Sequence, residues 1–434
     1  MKQVAITTLG CKVNQFESAS FITSLEDQGY QITKKDADVI IINTCAVTNA
    51  AASHSRQSIR QSLQAHPEAK IIITGCYVEI GCKELEAIKE LAGREYQIIG
   101  NSCKDQLVSS ITETKEDSSK LLIGSIDKAE TICRLPVRRF GDRTRAYLRI
   151  QDGCDSCCTY CIVPYTRGPS RSLPLDEVLE QAAIFSEEGY KETVVTGIHI
   201  GEWGKDLGEK LNFTLLMDRL SAAFPDMKFR ISSLEPTEIT DQLLELLKTK
   251  KNIFPHLHIP LQSGSDAILE RMNRKYTTAQ FKEVIDKCHA AVPDLCVGID
   301  ILAGFPGESE KHFEEVCTFL ENLKFTYLHV FPYSLRPGTK AAEFTDHLHG
   351  DIKNQRVNKL REISCRKKSA FYESQLGTTH SVQVEGKRTG DGKLKGYTEN
   401  YVLTHFDGDD SLMRSSIKVK LLENHNHFVL GERQ

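Results

Sequence analysis

The sequence predicts an α/β protein in three parts: an N-terminal parallel sheet, a partial (βα) barrel of six units, and a small C-terminal all-β barrel. Between residues 1 and 100, apolar segments alternate with helical stretches, which is typical of a parallel α/β sheet. The alternation restarts near residue 147 and continues for six units. Residues 375–434 instead carry short β-like runs separated by Gly, Asp and Asn turns, which favours a small barrel of the oligonucleotide-binding kind.

Each predicted strand of the N-terminal part runs directly into a cysteine. The strands are predicted at residues 4–9, 39–42 and 71–73, with helices at 17–28 and 53–64 between them. The cysteines that follow are Cys11, Cys45 and Cys76, here named the N-terminal triad. The carboxyl ends of parallel strands lie along one edge of a sheet, where ligands normally bind. We therefore expect these three thiols to meet at that edge as candidate metal ligands.

The barrel strands are predicted at residues 147–151, 193–195, 228–231, 256–261, 297–302 and 327–332, with helices such as 176–188 and 310–323 in the gaps. Barrel chemistry is expected at the carboxyl ends of these strands. A charged helical stretch, 351–375, leads to β-like runs at 380–385, 397–404, 417–422 and 428–430. We place the N-terminal domain at 1–112, a linker at 113–139, the barrel at 140–370 and the C-terminal domain at 375–434.

The linker leads into an arginine-rich connector. Residues 113–127 are polar and charged, and residues 133–149 then carry six arginines against one acid, Asp142. Arg167 and Arg171 continue the basic run. Two interpretations are open: these arginines contact phosphates of RNA, or they pair with nearby acids.

The composition narrows the classes of protein to consider. The chain has 434 residues, more than one hydrophobic core usually serves, and its formal net charge of -4 argues against indiscriminate nucleic-acid binding. No apolar run approaches the roughly 20 residues that span a bilayer, and no secretory signal is readable, so we expect a cytoplasmic protein without a membrane partner. In that reducing compartment its 14 cysteines are better interpreted as metal ligands or reactive thiols than as disulfides.

A second cysteine cluster lies in the loop after the first barrel strand. Cys154, Cys158 and Cys161, here named the loop triad, have the spacing C-x3-C-x2-C. Three thiolates on a tight loop can hold three corners of a cubane iron-sulfur cluster and leave the fourth iron open. An open iron can chelate the amino and carboxylate groups of a substrate. Cys157 breaks the spacing and is predicted not to be a ligand.

This spacing, the aromatic Tyr160 before the last cysteine and the six-unit barrel resemble the radical S-adenosylmethionine superfamily. In that family the open iron binds the methionine end of the cofactor, and an electron from the cluster releases a 5′-deoxyadenosyl radical. The resemblance implies cofactor contacts from the loops at the same barrel mouth: Tyr160, Thr196, Gly197, Ser233, Gln262 and Gly304. Small residues at strand ends are also common for turn chemistry alone, which is the alternative interpretation.

The first domain specifies the branch of the superfamily. The segments Leu9-Gly10-Cys11, Asn43-Thr44-Cys45 and Gly75-Cys76, together with the β-rich tail, resemble the methylthiotransferases across nearly the whole chain. The resemblance implies that the N-terminal triad holds a second open cluster, which handles the sulfur. It implies two 4Fe-4S iron-sulfur clusters, S-adenosyl-L-methionine, a Rossmann-like N-terminal domain, a TIM-like (βα)6 radical core and a TRAM-like tail. Buried structural cysteine is the alternative, and we favour it for Cys82, Cys103, Cys288, Cys296, Cys317 and Cys365.

Members of this family modify adenosine derivatives beside the tRNA anticodon or an aspartate of a ribosomal protein. The run from Cys11 through Lys12 to Gln15 resembles the subgroup acting on N6-threonylcarbamoyladenosine at position 37, whereas the isopentenyladenosine and ribosomal-protein subgroups carry Gln-Met and Pro-Lys after that cysteine. Residues 396–401 resemble the RNA-binding TRAM module, whose Tyr397 and Tyr401 either stack on bases or pack the small barrel. The implied partners are the tRNA anticodon stem-loop, an electron donor such as flavodoxin or ferredoxin, and a sulfur donor.

Two rival hypotheses remain open at this point. One keeps the chemistry but changes the substrate to isopentenyladenosine tRNA or ribosomal protein, and the other is a non-catalytic RNA-binding metalloprotein. No catalytic acid or base is predicted, because hydrogen abstraction by a radical needs none, although His199 and Glu202 lie near the proposed cofactor. Trp203 is predicted to pack in the core or at its rim.

Overall fold

The computed structural model describes residues 2–33, 35–112, 121–208 and 210–434, so part of the predicted linker, residues 113–120, lies outside the described residues. The N-terminal part contains strands β1 Gln3–Thr8, β2 Gln31–Ile32, β3 Val39–Thr44, β4 Lys70–Gly75, β5 Tyr96–Ile99 and β6 Leu121–Leu122, with helices α1 Lys12–Asp27, α2 Asn49–Ala65, α3 Cys76–Glu86 and α4 Ser109–Thr112. The strands are all parallel in the order β2-β1-β3-β4-β5-β6. β3 is buried along its whole length because helices cover both faces of the sheet.

The second part is the predicted partial barrel. Its strands are β7 Ala146–Arg149, β8 Gln151–Asp152, β9 Arg171–Ser172, β10 Glu192–Thr196, β11 Lys228–Ile231, β12 His256–His258, β13 Cys296–Ala303 and β14 Tyr327–Pro332. Its helices are α5 Val163–Arg167, α6 Leu175–Glu187, α7 Phe213–Ala223, α8 Asp241–Thr249, α9 Asp266–Arg271, α10 Thr278–Ala291 and α11 Glu310–Asn322. Two parallel sheets, β7-β10-β11 and β12-β13-β14, are joined by bridges such as Ser233–His258, which gives six parallel strands in chain order.

The third part is a closed five-stranded barrel that follows the long helix α12 Gly350–Ser374. Its strands are β15 Thr379–Val384, β16 Leu394–Thr398, β17 Leu403–Phe406, β18 Ser416–Asn424 and β19 Val429–Arg433, in the order β15-β16-β17-β19-β18. The prediction of one strand over 397–404 was wrong, because these residues end one strand, make a turn and start the next. Tyr401 has a φ of 67° there, and the Thr398 hydroxyl donates to Asn400 Oδ1 at 2.6 Å, so the turn is held by side chains.

One hydrophobic core joins the first two parts. Phe16 of α1 lies in the same buried cluster as Phe140 and Phe185, and the rings of Phe16 and Phe140 are 6.3 Å apart. The N-terminal sheet therefore has a fixed position against the barrel, which matters because each part carries one cysteine triad. No helix in the described ranges is both long enough and apolar enough to cross a membrane.

Candidate active site

The structure brings the N-terminal triad together at the carboxyl edge of the first sheet. Cys11 precedes α1, Cys45 follows β3, and Cys76 begins α3. A Cβ atom at Gly10, whose φ is +97°, would lie 2.9 Å from Cys45 Sγ, so the loops carrying Cys11 and Cys45 touch and only glycine fits there. Burial, together with the neighbouring Cys76 and Cys11, raises the pKa of Cys45 to about 11. The three thiols are thus electrostatically coupled neighbours.

A buried arginine from the barrel reaches this triad. Arg167, at the end of α5, donates from Nε to Cys76 Sγ at 3.2 Å. Its Nη1 donates to Glu17 Oε1 at 2.6 Å and to Asp152 Oδ2 at 3.1 Å, and its Nη2 donates to Asn14 Oδ1 at 2.6 Å. Of the two interpretations left open for Arg167 and Arg171, phosphate contact does not hold, because the two residues are 1% and 5% exposed. Arg167 instead connects the two domains beneath the triad.

The charges around the N-terminal triad fit anionic sulfur ligands. Three buried cations, Arg167, Lys104 and Arg149, face two buried carboxylates, Glu17 and Asp152. These cations outnumber the carboxylates, and Arg167 directs an N–H group at Cys76 Sγ. Although burial opposes ionisation, Arg167 and Lys104 lower the pKa of Glu17 to about 2. A cluster with three thiolate ligands would supply the missing negative charge.

The loop triad lies between β8 and α5 on a short segment that is tightly packed at its start. A Cβ atom at Gly153, whose φ is +78°, would lie 1.8 Å from the Pro169 carbonyl oxygen, so the chain passes where a side chain cannot. The Cys161 amide donates to the Cys158 carbonyl at 3.1 Å, which closes the turn between these ligands. Burial, together with the neighbouring Cys158 and Cys154, raises the pKa of Cys161 to about 12. Cys157, which lies between these residues in sequence, is exposed.

Two cationic side chains, Arg274 and His199, approach the loop triad. No sequence pattern predicted the position of Arg274. Arg274 donates from Nη1 to Cys158 Sγ at 3.3 Å and forms an ion pair with Glu235. His199 Nδ1 lies 3.5 Å from Cys154 Sγ, and its Nε2 lies 2.7 Å from Glu238. Although burial opposes protonation, Cys154 and Glu238 raise the pKa of His199 to about 11. His199 is therefore a charged donor and is unsuited to act as a general base at neutral pH.

The predicted cofactor contacts occupy neighbouring strand ends at the mouth that carries the loop triad. Thr196 ends β10 and Gly197 follows it, Ser233 and Gln262 lie in the segments after β11 and β12, Gly304 follows β13, and Tyr160 lies in the loop itself. Tyr160 packs edge-on against Phe305 with ring centres 6.4 Å apart. The Gln151 side chain fixes the loop after Gly197 by accepting the His199 amide at 2.8 Å. The six residues therefore share one mouth of the barrel.

A cavity of about 320 Å³ fills the lumen of the barrel, and all three parts of the chain line it. We name this space the luminal cavity. Lys12 comes from α1, and Tyr401 comes from the C-terminal barrel. The strands of the central barrel and the residues beside them supply the rest of the lining: Arg145, Tyr147, Val194, Arg230, Ile231, Ser232, Ser233, His256, His258, Asp300, Tyr327, His329 and Phe331. Arg145 and Arg230 both pair with buried Glu192, each at 2.7 Å. Burial and Arg230 lower the pKa of Lys12.

Tyr397 and Tyr401, for which base stacking and packing of the small barrel were both open, stack on each other. The rings of Tyr397 and Tyr401 are 4.7 Å apart at an angle of 19°, and Tyr401 also packs against His256 at 4.5 Å. The connector arginines mostly pair with acids: Arg134 with Glu177, Arg138 with Asp27, Arg139 with Glu188 and Arg145 with Glu192 and Glu385. Acid pairing is thus the interpretation of the connector that the structure favours.

Other sequence predictions about single residues have mixed outcomes. Trp203 is fully buried and donates from Nε1 to the Leu173 carbonyl at 2.8 Å, as expected of a core residue. Of the cysteines interpreted as buried and structural, Cys103, Cys288 and Cys296 are buried, Cys82 and Cys317 are partly exposed, and Cys365 is exposed. Cys365 lies on α12, a mostly polar helix with few buried positions, so residue type alone was a poor guide to burial there.

Comparisons with known proteins cover both triads. Residues 148–320 match the model of the radical SAM superfamily, and residues 3–93 match that of the uncharacterized protein family UPF0004. The threonylcarbamoyladenosine tRNA methylthiotransferase MtaB of Bacillus subtilis (strain 168) is 38% identical over 98% of this chain and 94% of that protein. A tRNA-2-methylthio-N(6)-dimethylallyladenosine synthase of Thermoanaerobacter sp. (strain X514) is 33% identical over 98% of this chain and 92% of that protein.

The fold is also found in a solved structure. The radical S-adenosylmethionine methyltransferase TsrM from Kitasatospora setae superposes with a TM-score of 0.57 at 15% identity, covering 79% of this chain and 77% of that one. This likeness confirms the predicted fold class. Together with near full-length relatives at 33–38% identity, it shows that the chain belongs to the radical S-adenosylmethionine tRNA methylthiotransferase family, whose members use S-adenosylmethionine and 4Fe-4S clusters.

Proposed function

We propose that this enzyme replaces the C2 hydrogen of N6-threonylcarbamoyladenosine at position 37 of tRNA with a methylthio group, giving 2-methylthio-N6-threonylcarbamoyladenosine. The observation that carries the proposal is that five relatives of 33–38% identity bear the name of the threonylcarbamoyladenosine enzyme. A dimethylallyladenosine enzyme is also 33% identical, so overall identity separates the two substrates poorly. The residues after Cys11, beginning with Lys12, supply the finer distinction.

In this proposal Cys154, Cys158 and Cys161 hold the radical cluster, and Cys11, Cys45 and Cys76 hold the auxiliary cluster. When bound, the two clusters and S-adenosylmethionine supply a 5′-deoxyadenosyl radical and the sulfur to be inserted. The chain's own residues balance charge at each site: Arg274 and His199 face the loop triad, and Arg167 faces the N-terminal triad. Donors directed at cluster sulfur stabilise its negative charge and tune its potential.

The remaining residues position substrate and exclude water. Tyr401 of the C-terminal barrel packs against His256 and Tyr327, which covers one side of the luminal cavity. Exclusion of water protects a reactive radical from side reactions. We further propose that Tyr160, Thr196, Gly197, Ser233, Gln262 and Gly304 surround the S-adenosylmethionine. Electrons would come from a donor such as flavodoxin or ferredoxin that approaches beside exposed Cys157, and a separate sulfur donor would replenish the auxiliary cluster.

The experiment uses anaerobically reconstituted enzyme with S-adenosylmethionine, a reductant and defined substrates. These are one tRNA carrying threonylcarbamoyladenosine at position 37, the same tRNA carrying isopentenyladenosine, and a ribosomal-protein peptide containing aspartate. Mass spectrometry of nucleosides and peptide detects the added methylthio group. Modification of the first tRNA supports the proposal, while modification of only the second tRNA or the peptide establishes a rival substrate. A cluster-loaded protein that never cleaves S-adenosylmethionine on reduction would instead be a non-catalytic RNA-binding protein.

A further inference from the structure

Lys12 presents an uncompensated ammonium group to the luminal cavity. Its side chain is accessible from the cavity, and within the described residues it forms no hydrogen bond or ion pair. The two other cations of the cavity are neutralised: Arg145 pairs with Glu192 and Glu385, and Arg230 pairs with Glu192. Lys12 is exposed to the cavity, and it is the lining lysine or arginine that no carboxylate of the described residues contacts.

The carboxylate that lines the same cavity has other partners. Asp300 Oδ1 lies 2.8 Å from His258 Nε2 and 3.4 Å from His329 Nδ1. The two histidines lie on β12 and β14, the strands that flank β13 with Asp300, and Asp300 forms no ion pair with Lys12. The luminal cavity therefore has a vacant position for one anionic group.

His258, Asp300 and His329 also form a donor set that could hold a metal ion, since their ligand atoms lie within 4.8 Å of one another. The charges of the cavity argue against that occupant. Lys12 lines the same small volume without a carboxylate partner and would repel a divalent cation at short range. The same charge attracts an anion, so an anionic ligand is the occupant that the cavity favours.

We propose that the luminal cavity binds the modified adenine and that the Lys12 ammonium pairs with the carboxylate of its threonyl group. This inference rests on the proposed function and assigns the residue that selects the substrate. Of the two modified adenosines considered, the threonylcarbamoyl derivative bears a carboxylate and the isopentenyl derivative bears no charge. Tyr327, Tyr401 and Phe331 supply aromatic walls for a base, and about 320 Å³ lies within the range of small-ligand pockets.

The position of Lys12 would also place the bound base near the N-terminal triad. Lys12 directly follows Cys11, so a carboxylate held at its ammonium group brings the modified base beside the N-terminal triad. The cavity near the loop triad, lined by Cys158, Glu235 and Arg274 among others, shares no lining residue with the luminal cavity. Lys12 therefore lies apart from the residues that line the cavity beside the loop triad.

The first test changes the ligand and leaves the protein intact. Cluster-loaded wild-type enzyme is titrated with fluorescent anticodon stem-loops that carry threonylcarbamoyladenosine, its threonyl carboxamide, or isopentenyladenosine. Loss of a charge-assisted hydrogen bond at an accessible lysine weakens binding by roughly tenfold, so the carboxamide should bind about tenfold more weakly than the acid. Equal affinity for the acid and the carboxamide would overturn the inference, and this comparison does not depend on the folding of any variant.

The second test changes the protein. Lys12→Met should bind the acid and the carboxamide equally, Lys12→Arg should keep most of the preference, and the surface control Lys282→Met should behave as wild type. Iron content and reductive cleavage of S-adenosylmethionine are measured on each variant, and the carboxylate preference is compared among preparations loaded with the same amount of iron. Loss of cleavage without loss of the carboxylate preference would show that Lys12 serves the cofactor instead. Methylthiolation confined to isopentenyladenosine tRNA would refute the proposed function itself, whereas modification of the threonylcarbamoyl tRNA without carboxylate preference refutes only this inference.

Discussion

An arginine donates to one sulfur in each cysteine triad, Arg167 to Cys76 at 3.2 Å and Arg274 to Cys158 at 3.3 Å. Both arginines are buried and carry carboxylate partners, but the origin of those partners differs. Arg167 comes from the barrel and binds Glu17 of the N-terminal domain, so its charge network crosses the domain boundary. Arg274 and its partner Glu235 both belong to the barrel.

The two triads also differ in how far apart their cysteines lie along the chain. The loop triad lies within eight consecutive residues, so its geometry depends on one loop and the strand ends beside it. The N-terminal triad joins three separate strand ends of the sheet, and a buried network from another domain supports it. We conclude that the N-terminal site is sensitive to the domain interface, whereas the loop site is not.

The largest effect is expected from Arg167→Met. This change leaves Glu17 and Asp152 buried without their main partner, and breaking a buried charge pair costs about 3–5 kcal/mol. Iron bound at the N-terminal triad should fall sharply while S-adenosylmethionine cleavage at the loop triad persists. Iron analysis measures the bound iron, calorimetry measures the loss of stability, and a cleavage assay reports on the loop triad. Arg134→Met, at an exposed arginine paired with Glu177, is the control and should retain full iron; equal iron loss in both variants would refute the interface dependence.

Arg274→Met should produce the complementary and smaller result. Removing an outer partner of a metal ligand typically costs 10–100-fold in metal affinity or activity, and here the loss should be confined to the loop triad. We expect about tenfold slower cleavage of S-adenosylmethionine, with the spectrum of the N-terminal cluster unchanged. Electron paramagnetic resonance of the reduced protein checks this. An altered N-terminal signal in this variant would show that the two sites are coupled.

Acid should weaken the domain interface through Glu17. Arg167 and Lys104 lower its pKa from 4.5 to about 2, so the ionised carboxylate contributes stability above about pH 4.5, and this contribution is lost as the pH falls toward 2. The melting temperature of metal-free protein should decline across that window. Glu17→Gln should melt lower at pH 7 and lose less on acidification, whereas the exposed control Glu26→Gln should follow wild type. A decline in Glu17→Gln as steep as in wild type would assign the acid sensitivity to other groups.

The smallest effect is expected from Cys157→Ser. Cys157 lies between two ligands of the loop triad in sequence but is exposed, and its sulfur contacts only the Asp155 carbonyl at 3.8 Å among the described residues. Iron content and cleavage rate should therefore match wild type. If the variant loses the loop cluster, Cys157 would replace one of the proposed ligands and the C-x3-C-x2-C assignment would be wrong.

The sequence predicted the elements that depend on local patterns. The strands that end before Cys11, Cys45 and Cys76 are apolar runs, two of them followed by glycine at Gly10 and Gly75, and edge geometry then implied that their thiols meet. The loop triad was visible as a spacing. The single strand predicted over 397–404 failed because the turn at Tyr401 is made by a non-glycine residue with positive φ, which no composition signal marks.

Residues whose roles depend on tertiary contacts could not be predicted in the same way. Arg274 lies in a short polar turn after α9, and only the folded barrel places its guanidinium against Cys158. Arg167 was grouped with surface arginines because its partners Glu17 and Asp152 are 150 and 15 residues away along the chain. In the sequence, Lys12 only indicates the threonylcarbamoyladenosine subgroup. Its position in the lining of the luminal cavity depends on the folded structure.

The most direct test of two independent cluster sites is iron analysis with electron paramagnetic resonance on reconstituted wild type and two triple variants. One variant replaces Cys154, Cys158 and Cys161 with alanine, and the other replaces Cys11, Cys45 and Cys76. We predict two 4Fe-4S clusters in wild type and one in each variant, with S-adenosylmethionine cleavage lost only when the loop triad is replaced. Wild type that binds only zinc, or either variant devoid of iron, would contradict the assignment of two separate sites.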